Sequence, residues 1–217
     1  MKKHPAKYSD GFTRLFADIL LENKCRNVLD PMAGTGKICE VRDFGFSGEV
    51  YCNDLEEEWK LYEATWTFLD AASLPYPDGF FDAIVTSPTY GNRMADHHNA
   101  KDGSSRITYT HRMGRKLKEG NTGQMQWGEA YKKKHSEIWE EAFRVLKPGG
   151  ILVLNISDHI RKGQAVPVAS WHYETLESLG FKCIRQDFEK TRRMRFGKNS
   201  EARIDGEWIF VFRKEIR

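Results

Sequence analysis

Short apolar runs alternate along the chain with longer segments whose apolar residues recur at helical spacing. Runs rich in Val, Ile, Leu and Phe and bounded by polar residues predict strands, whereas spacings of three and four residues predict helices. Alternation of the two predicts an α/β fold built on a mainly parallel sheet. The predicted strands cover residues 27–29, 49–52, 65–68, 81–86, 151–156, 182–188 and 207–212, and the predicted helices cover residues 12–22, 37–44, 128–146 and 168–179.

Charge is distributed unevenly along these elements. The 217 residues carry 34 Lys or Arg against 31 Asp or Glu, a formal charge of +3 that excludes a polycationic tail. Residues 91–135 nevertheless hold ten basic residues against four acidic ones, and residues 182–203 hold eight against three. The near-neutral total therefore conceals two basic regions, which are typical of surfaces that meet an anionic partner.

Several function classes are excluded by simpler counts. No apolar run approaches the roughly 18 residues that cross a bilayer, and the first residues lack the apolar core of a signal peptide, so we expect a cytoplasmic protein without membrane contact. The four cysteines form no Cys-x-x-Cys pair, which predicts reduced thiols. Asp96, His97 and His98 are neighbours that rarely converge on one ion, so no metal site is predicted.

A glycine turn follows the first predicted strand in the sequence Val-Leu-Asp-Pro-Met-Ala-Gly-Thr-Gly-Lys, residues 28–37. Gly34 and Gly36 allow the backbone to approach a ligand closely, and the start of the next helix offers unpaired N–H groups. The turn lacks the spacing of a dinucleotide fingerprint and the ending of a phosphate loop. Asp30, at the end of the strand, suits a cationic amine or a polar group of the ligand.

Two further acids follow the next strands. Asp54 comes after the second strand, where a carboxylate in this kind of fold can bridge two ribose hydroxyls. Asp70 comes after the third strand and suits a hydrogen bond to the amino group of an adenine. Because ligands of open α/β sheets bind at the carboxyl ends of strands, the three acids together predict a nucleoside pocket.

Residues 30–36 resemble the cofactor motif Asp-Pro-Phe-x-Gly-x-Gly of class I S-adenosylmethionine-dependent amino-methyltransferases, with Met32 at the aromatic position. Residues 144–151 are similar to the lead into the fifth strand of that fold. The resemblance covers nearly the whole chain and implies a Rossmann-like, seven-stranded, mostly parallel sheet with an antiparallel last strand and helices on both faces. It implies S-adenosyl-L-methionine as cofactor, bound by Lys7, Tyr8, Asp30, Pro31, Met32, Ala33, Gly34, Gly36, Asn53, Asp54, Leu55, Asp70, Ala71 and Ser87.

The tetrapeptide Ser87-Pro88-Thr89-Tyr90 follows the fourth predicted strand. It resembles the Ser-Pro-Pro-Tyr or Asp/Asn-Pro-Pro-Tyr motif of enzymes that methylate an exocyclic amine of adenine, cytosine or guanine, and it departs by Thr89 at the second proline. The resemblance implies that Ser87 Oγ and the Pro88 carbonyl accept hydrogen bonds from the amine, which turns the nitrogen lone pair toward the methyl group. Tyr90 would stack on the extruded base.

Residues 4–9 resemble the family segment that closes over the methionine end of the cofactor. Because these residues precede both the glycine turn and the Ser87 tetrapeptide, the resemblance implies the gamma order of motifs among DNA amino-methyltransferases. The whole chain, residues 1–217, is expected to form one domain.

A long segment at about residues 91–127 interrupts the α/β pattern directly after the tetrapeptide, which predicts a basic insertion that contacts and reads nucleic acid. It mixes arginines and Lys116 with Tyr109 and Trp127. A second basic loop at 192–198 is expected to contact phosphates. The predicted nucleic-acid contacts are Arg93, Arg106, Arg112, Arg115, Arg192, Arg193 and Arg195.

Together these features lead to the hypothesis that the protein is an enzyme that methylates cytosine N4 or adenine N6 in DNA. Pro-Thr-Tyr-Gly-Asn-Arg is also similar to a motif of RNA guanine-N2 methyltransferases, which keeps RNA open as a partner. A third hypothesis is a nucleic-acid-binding protein that has kept the fold and lost turnover. Residues 155–159, Asn-Ile-Ser-Asp-His, end the fifth predicted strand where they could line the pocket, and Asp158 and His159 are expected to be structural or pocket-lining.

Overall fold

The structure, a computed structural model, describes residues 9–91, 109–191 and 204–216. Its strands are β1 (Asn27–Asp30), β2 (Glu49–Asn53), β3 (Thr65–Thr67), β4 (Phe81–Thr86), β5 (Leu146–Ile156), β6 (His159–Arg161), β7 (Gln164–Val166), β8 (Phe181–Lys190) and β9 (Gly206–Lys214). Its α-helices are α1 (Asp10–Glu22), α2 (Tyr109–Met113), α3 (Glu129–Val145) and α4 (Val168–Leu179). Three 3-10 helices cover Lys37–Phe44, Glu57–Trp59 and Thr122–Gln124.

Seven of the strands form one sheet in the order β3-β2-β1-β4-β5-β9-β8, and β6 pairs with β7 in a separate ribbon. The first five strands of that order are parallel, while β9 runs antiparallel to both of its neighbours. The predicted fold is therefore confirmed. The order reverses direction between β1 and β4, and the crevice at such a switch point is where open α/β sheets bind ligands.

Alternate residues of the central strands face two separate cores, as the period of two along a strand requires. Val28 and Val153 pack with α1 and the first 3-10 helix on one face. Leu29 and Leu152 pack with α3 and α4 on the other face. Burial on both faces explains why these strands read as continuous apolar runs.

Two predicted elements take a different form. Residues 37–44 form a 3-10 helix, bounded by Gly36 with φ of 80° and Gly45 with φ of 94°. The two left-handed glycines confine it to eight residues. Strand β5 begins at Leu146, which pairs with Phe81, and the ladder resumes only at Ile151, so residues 147–150 loop out within the strand.

The sequence pattern did not predict α2, the β6–β7 ribbon or the two shorter 3-10 helices. No helix or strand among these is longer than five residues, which is too short for a periodic pattern. Within the described ranges, no helix is both long enough and apolar enough to cross a membrane.

Candidate active site

The carboxyl ends of β1 and β4 are joined by a hydrogen bond. The hydroxyl of Thr86, the last residue of β4, donates to Asp30 Oδ1 over 2.8 Å, and the Met32 amide donates to the same oxygen over 3.1 Å. Asp30 is 1% exposed. The carboxylate therefore shapes the start of the glycine turn and fixes it against the strand that leads into the Ser87 tetrapeptide.

The glycine turn lies close to β2 and β3. Gly34 has φ of 53°, and its amide donates to Asp54 Oδ2 over 2.8 Å. A Cβ atom on Gly36 would lie 2.6 Å from Cζ2 of Trp66, in a residue whose φ of 80° already disfavours side chains. Both observations require glycine, so the backbone of the turn is held next to the end of β2.

Asp54 accepts two backbone hydrogen bonds, from Gly34 to Oδ2 and from Glu56 to Oδ1 over 2.9 Å. Burial raises the pKa of Asp54 to about 7, and the nearby carboxylates of Asp30 and Glu56 add to this rise while the two amides oppose it. A carboxylate so placed gains from ligand hydroxyls that donate to its remaining lone pairs.

Asn53 and Asp70 are engaged within the chain. The Asn53 amide donates to the carbonyls of Pro31 and Leu69, and its oxygen accepts from Thr67 Oγ1 and the Leu69 amide. These four bonds hold the loops after β1 and β3 together.

Asp70 pairs with Lys134 of α3 at 2.5 Å and accepts from the Ala72 amide. Its carboxylate still lines the cavity described below, with the lysine charge beside it.

The Ser87 tetrapeptide leaves β4 as a turn tied to its surroundings at several points. Ser87 Oγ lies 3.1 Å from Tyr90 Oη, and Tyr90 Oη donates to Glu207 Oε2 over 3.3 Å. The Thr89 hydroxyl donates to the Thr122 carbonyl over 3.1 Å. Thr89 thus provides a tether to the segment after residue 109, which a second proline at this position would lack.

A buried chain of hydrogen bonds reaches the same turn from the opposite side. Trp139 Nε1 donates to His172 Nδ1 over 2.9 Å, which leaves the hydrogen of the neutral ring on Nε2, facing Tyr131 Oη at 2.8 Å. Tyr131 Oη in turn donates to the Thr89 carbonyl over 2.5 Å. Burial, with His135 nearby, holds the pKa of His172 well below its ordinary value, so the ring stays neutral. The hydrogen bonds therefore all run in one direction, from Trp139 through His172 and Tyr131 to the Thr89 carbonyl.

We expect Tyr131→Phe to destabilise the protein by about 1–3 kcal/mol, because it leaves the buried Nε2–H of His172 without an acceptor. The melting temperature should fall by several degrees, measured by calorimetry. The matched control is Tyr173→Phe in α4, whose hydroxyl lies beside Glu177 near the surface. Equal melting temperatures for the two variants would contradict the role of the chain.

Residues 109–127 fold over the glycine-turn side of the site. Glu56 is completely buried, and its carboxylate accepts from Arg115 Nη2 and the Lys118 amide, each over 2.6 Å, and from Asn121 Nδ2 over 3.1 Å. Trp59 packs with Tyr109, Met113 and Leu117 in a small apolar cluster beside these bonds. Since the amide of Glu56 is bound by Asp54, the segment is linked to the end of β2.

Glu56→Gln should loosen this segment, because a glutamine amide would place a donor against the donors of Arg115 and the Lys118 backbone. Affinity for the cofactor should fall by about tenfold, measured by titration calorimetry, with faster hydrogen exchange across residues 115–121. The control is the neighbouring, exposed Glu57→Gln. If Glu56→Gln behaves like that control in both measurements, the link does not exist.

The glycine turn and the tetrapeptide line the same cavity, which has a volume of about 340 Å³. This volume lies within the range of small-molecule sites. The predicted residues that line it are Pro31, Met32, Ala33, Gly34, Asn53, Asp54, Leu55, Asp70, Ala71, Ser87, Pro88, Thr89 and Tyr90.

Comparison with known proteins identifies the family. A sequence model described as DNA methylase, of the N6/N4 type, matches residues 81–216, from the start of β4 through the tetrapeptide to the last strand. The chain belongs to the DNA methylase family.

One curated relative of this chain is the Type II methyltransferase M.MjaI of Methanocaldococcus jannaschii, 33% identical over 90 residues. That alignment covers 36% of this chain and 30% of the relative, so the chain spans less than a third of the relative it matches.

Solved structures share the fold at low sequence identity. The N-methyltransferase NodS of Bradyrhizobium japonicum has a TM-score of 0.56 at 12% identity and covers 96% of this chain and 99% of its own. A SAM-dependent methyltransferase of Methanosarcina mazei has a TM-score of 0.53 at 15% identity and covers 88% and 93%. The chain therefore has the Rossmann-like methyltransferase fold.

Its cofactor is S-adenosyl-L-methionine, which confirms the prediction from the sequence. The residues present fit that molecule. The backbone of the glycine turn lines the cavity at Gly34, whose φ of 53° disfavours side chains, and the Asp54 carboxylate lies beside it as an acceptor for hydroxyl groups.

The remaining predicted residues are not among those that line the cavity. Asp30 binds Thr86 and Met32, and Gly36 packs against Trp66. Arg115 binds Glu56 and Glu58, Arg112 is half-buried in α2, and their contact with nucleic acid stays a prediction. Asp158 accepts from the Ala169 amide at the start of α4, a structural role. Lys7, Tyr8, Arg93, Arg106, Arg192, Arg193 and Arg195 lie outside the described residues.

Asn155, at the end of β5, lines the cavity as its position at the carboxyl edge of the sheet predicts. Sequence reasoning missed Glu207 at the start of β9, which belongs to no motif. The other lining residues missed are Thr35 and Lys37 of the glycine turn and, outside it, Trp59, Leu69, Tyr109, Leu117, Gly120, Asn121, Thr122, Gly123 and Ile138.

Proposed function

We propose that this methyltransferase transfers the methyl group of S-adenosyl-L-methionine to the exocyclic amine of cytosine (N4) or adenine (N6) in DNA. One observation carries the proposal: the Ser87 tetrapeptide opens into the same cavity as the glycine turn and Asp54. A base amine held at the tetrapeptide would therefore lie next to a cofactor held at the glycine turn, which is the juxtaposition that a direct transfer needs.

In this assignment the cofactor supplies an electrophilic methyl group on a sulfonium. Asp54 would accept the ribose hydroxyls and Asp70 the adenine amino group. Ser87 Oγ and the Pro88 carbonyl would accept the two hydrogens of the target amine, which keeps the nitrogen lone pair directed at the methyl group. The Tyr90 ring would stack on the base, a contact that contributes about 1–3 kcal/mol.

The polar groups near the tetrapeptide support cytosine or adenine as targets. Asn155 lies 2% exposed on the strand next to β4, and its Nδ2 has no acceptor among the described residues. A donor beside acceptors matches an amine next to an unprotonated ring nitrogen, as in cytosine and adenine. In guanine the nitrogen next to the exocyclic amine carries a hydrogen, so this arrangement supports guanine less well.

The distribution of basic residues along the sequence supports a polyanionic partner, since these residues concentrate in the segments that follow the tetrapeptide and precede β9. Binding should then weaken steeply as salt concentration rises, through release of counterions.

The test is a methylation assay with labelled S-adenosyl-L-methionine and either duplex DNA or RNA, followed by digestion and identification of the methylated nucleoside. N4-methylcytosine or N6-methyladenine in DNA is expected, and sequencing of methylated genomic DNA from cells that express the protein then maps the site. Label confined to RNA as N2-methylguanine would favour the RNA enzyme instead. Tight binding without label would indicate the silent nucleic-acid-binding protein.

A further inference from the structure

Glu207 reaches the tetrapeptide because of the direction of its strand. Strand β9 runs antiparallel to β5, with Trp208 opposite Ile156, so the first residues of β9 lie at the edge where the parallel strands end. Glu207 lines the cavity with Ser87 and Tyr90. A carboxylate is thereby placed beside a turn whose own leading residue, Ser87, is neutral.

The hydrogen bonds between these three side chains have a single possible direction. Tyr90 Oη donates to Glu207 Oε2, and an ionised carboxylate has no hydrogen to return. The one hydrogen of the Tyr90 hydroxyl is committed to that bond. In the 3.1 Å contact between Ser87 Oγ and Tyr90 Oη, Ser87 must therefore be the donor. The oxygen of Ser87 is left with lone pairs for any further partner.

A serine hydroxyl without such a chain can rotate and act as either donor or acceptor. Here the carboxylate removes that freedom through Tyr90, and Ser87 joins the Pro88 carbonyl as a group that only accepts. Two acceptors side by side favour an amine, which offers two hydrogens, and disfavour a carbonyl oxygen, whose lone pairs would face theirs.

We propose that Glu207, acting through Tyr90, is a positioning residue that fixes Ser87 as an acceptor and so makes the site select an exocyclic amine over an exocyclic carbonyl. This inference rests on the proposed function. It means that cytosine is distinguished from uracil, and adenine from hypoxanthine, at the very position that reacts.

The experiment measures binding rather than turnover. Duplex oligonucleotides carry the mapped site with the target base either in its amine form or in its carbonyl form, uracil for cytosine or hypoxanthine for adenine. Dissociation constants are measured by fluorescence anisotropy for the wild-type protein, Tyr90→Phe and Glu207→Leu, since leucine offers no acceptor to the Tyr90 hydroxyl. The readout is how the amine-to-carbonyl ratio changes between proteins, because altered pairing with the opposite strand affects all of them alike.

The wild-type protein should prefer the amine duplex, and both variants should lose about tenfold of that preference, mainly by binding the carbonyl duplex more tightly. In each variant the Ser87 hydrogen becomes free to donate. Tyr90→Phe keeps the ring, so base stacking is retained. The double variant should show the same loss as either single variant, because the residues act as one unit.

Glu189→Leu is the matched control, since Glu189 lies opposite Glu207 in the β8–β9 register and is exposed. It removes a carboxylate on the adjacent strand without touching the tetrapeptide, and its preference should equal that of the wild-type protein. A preference that survives in Tyr90→Phe and Glu207→Leu would overturn the inference while leaving methylation of the mapped site, and hence the proposed function, intact. An equal loss in Glu189→Leu would overturn it too, by showing a general effect of charge.

Discussion

Replacement of Ser87 by alanine is expected to lower the rate constant for methyl transfer by about 100- to 1,000-fold, the range seen when one positioned polar group is removed from a reacting centre. The hydroxyl that Ser87→Ala removes lies 3.1 Å from Tyr90 Oη, in the first residue of the tetrapeptide. Without it the amine loses one of two acceptors, and its lone pair is no longer held toward the methyl group. Single-turnover kinetics with the mapped duplex measures the change.

The same variant should bind S-adenosyl-L-methionine within about twofold of the wild-type affinity, because Ser87 lies on the tetrapeptide side of the cavity whereas the glycine turn and Asp54 lie on the other. Ser170→Ala provides the control, since that exposed serine of α4 bonds only the Pro167 carbonyl among the contacts described. Unchanged turnover in Ser87→Ala would refute the catalytic assignment of the turn. A parallel loss of cofactor affinity would place Ser87 in the cofactor site instead.

Asp54→Asn is expected to weaken binding of S-adenosyl-L-methionine by about 10- to 100-fold, which corresponds to the 1–3 kcal/mol cost of mismatched buried polar groups. The asparagine amide would place a donor against either the ribose hydroxyls or the Gly34 amide, which now donates to Asp54 Oδ2. Titration calorimetry measures the affinity, with the exposed Asp18→Asn of α1 as control.

The pH dependence of that affinity gives a second test. Burial raises the pKa of Asp54 from 3.8 to about 7, so the carboxyl is half protonated near neutrality. The ionised form accepts hydroxyl hydrogens best, and cofactor affinity should therefore increase as the pH rises from about 6 to about 8. The same raised pKa implies that the ligand-free fold loses stability as the pH rises between about 4 and 7, since the folded state then holds a proton that the unfolded chain has released. In Asp54→Asn both dependences should be reduced, and a wild-type affinity that is flat across this range would exclude Asp54 from the ribose contact.

The sequence predicts the sheet and the centre of the site because both depend on local patterns. Continuous apolar strands, the glycines at 34 and 36 and the acids at strand ends are all visible in runs of a few residues. The topology of open parallel sheets then brings the strand ends together without further information.

What the sequence could not show depends on partners distant along the chain. Asn53 is predicted to bind the cofactor. Its side chain instead makes four hydrogen bonds within the protein, to residues up to 22 positions away. The sequence predicts Arg115 on a basic surface, but its guanidinium binds the buried carboxylate of Glu56, 59 positions earlier. Glu207 belongs to no motif, and its place beside Tyr90, 117 positions earlier, follows from the pairing of β9 with β5.

The antiparallel course of β9 bears on how the connection between β8 and β9 could be redesigned. The two strands approach each other at the edge of the sheet that carries the tetrapeptide, where the Thr191 amide donates to the Asp205 carbonyl over 2.9 Å. We expect substitutions beyond this pair to change the charge of the connection while the β8–β9 ladder, with Glu207 in its second pair, keeps its register. The connection is therefore a suitable place to graft sequences that test the proposed contacts with nucleic acid.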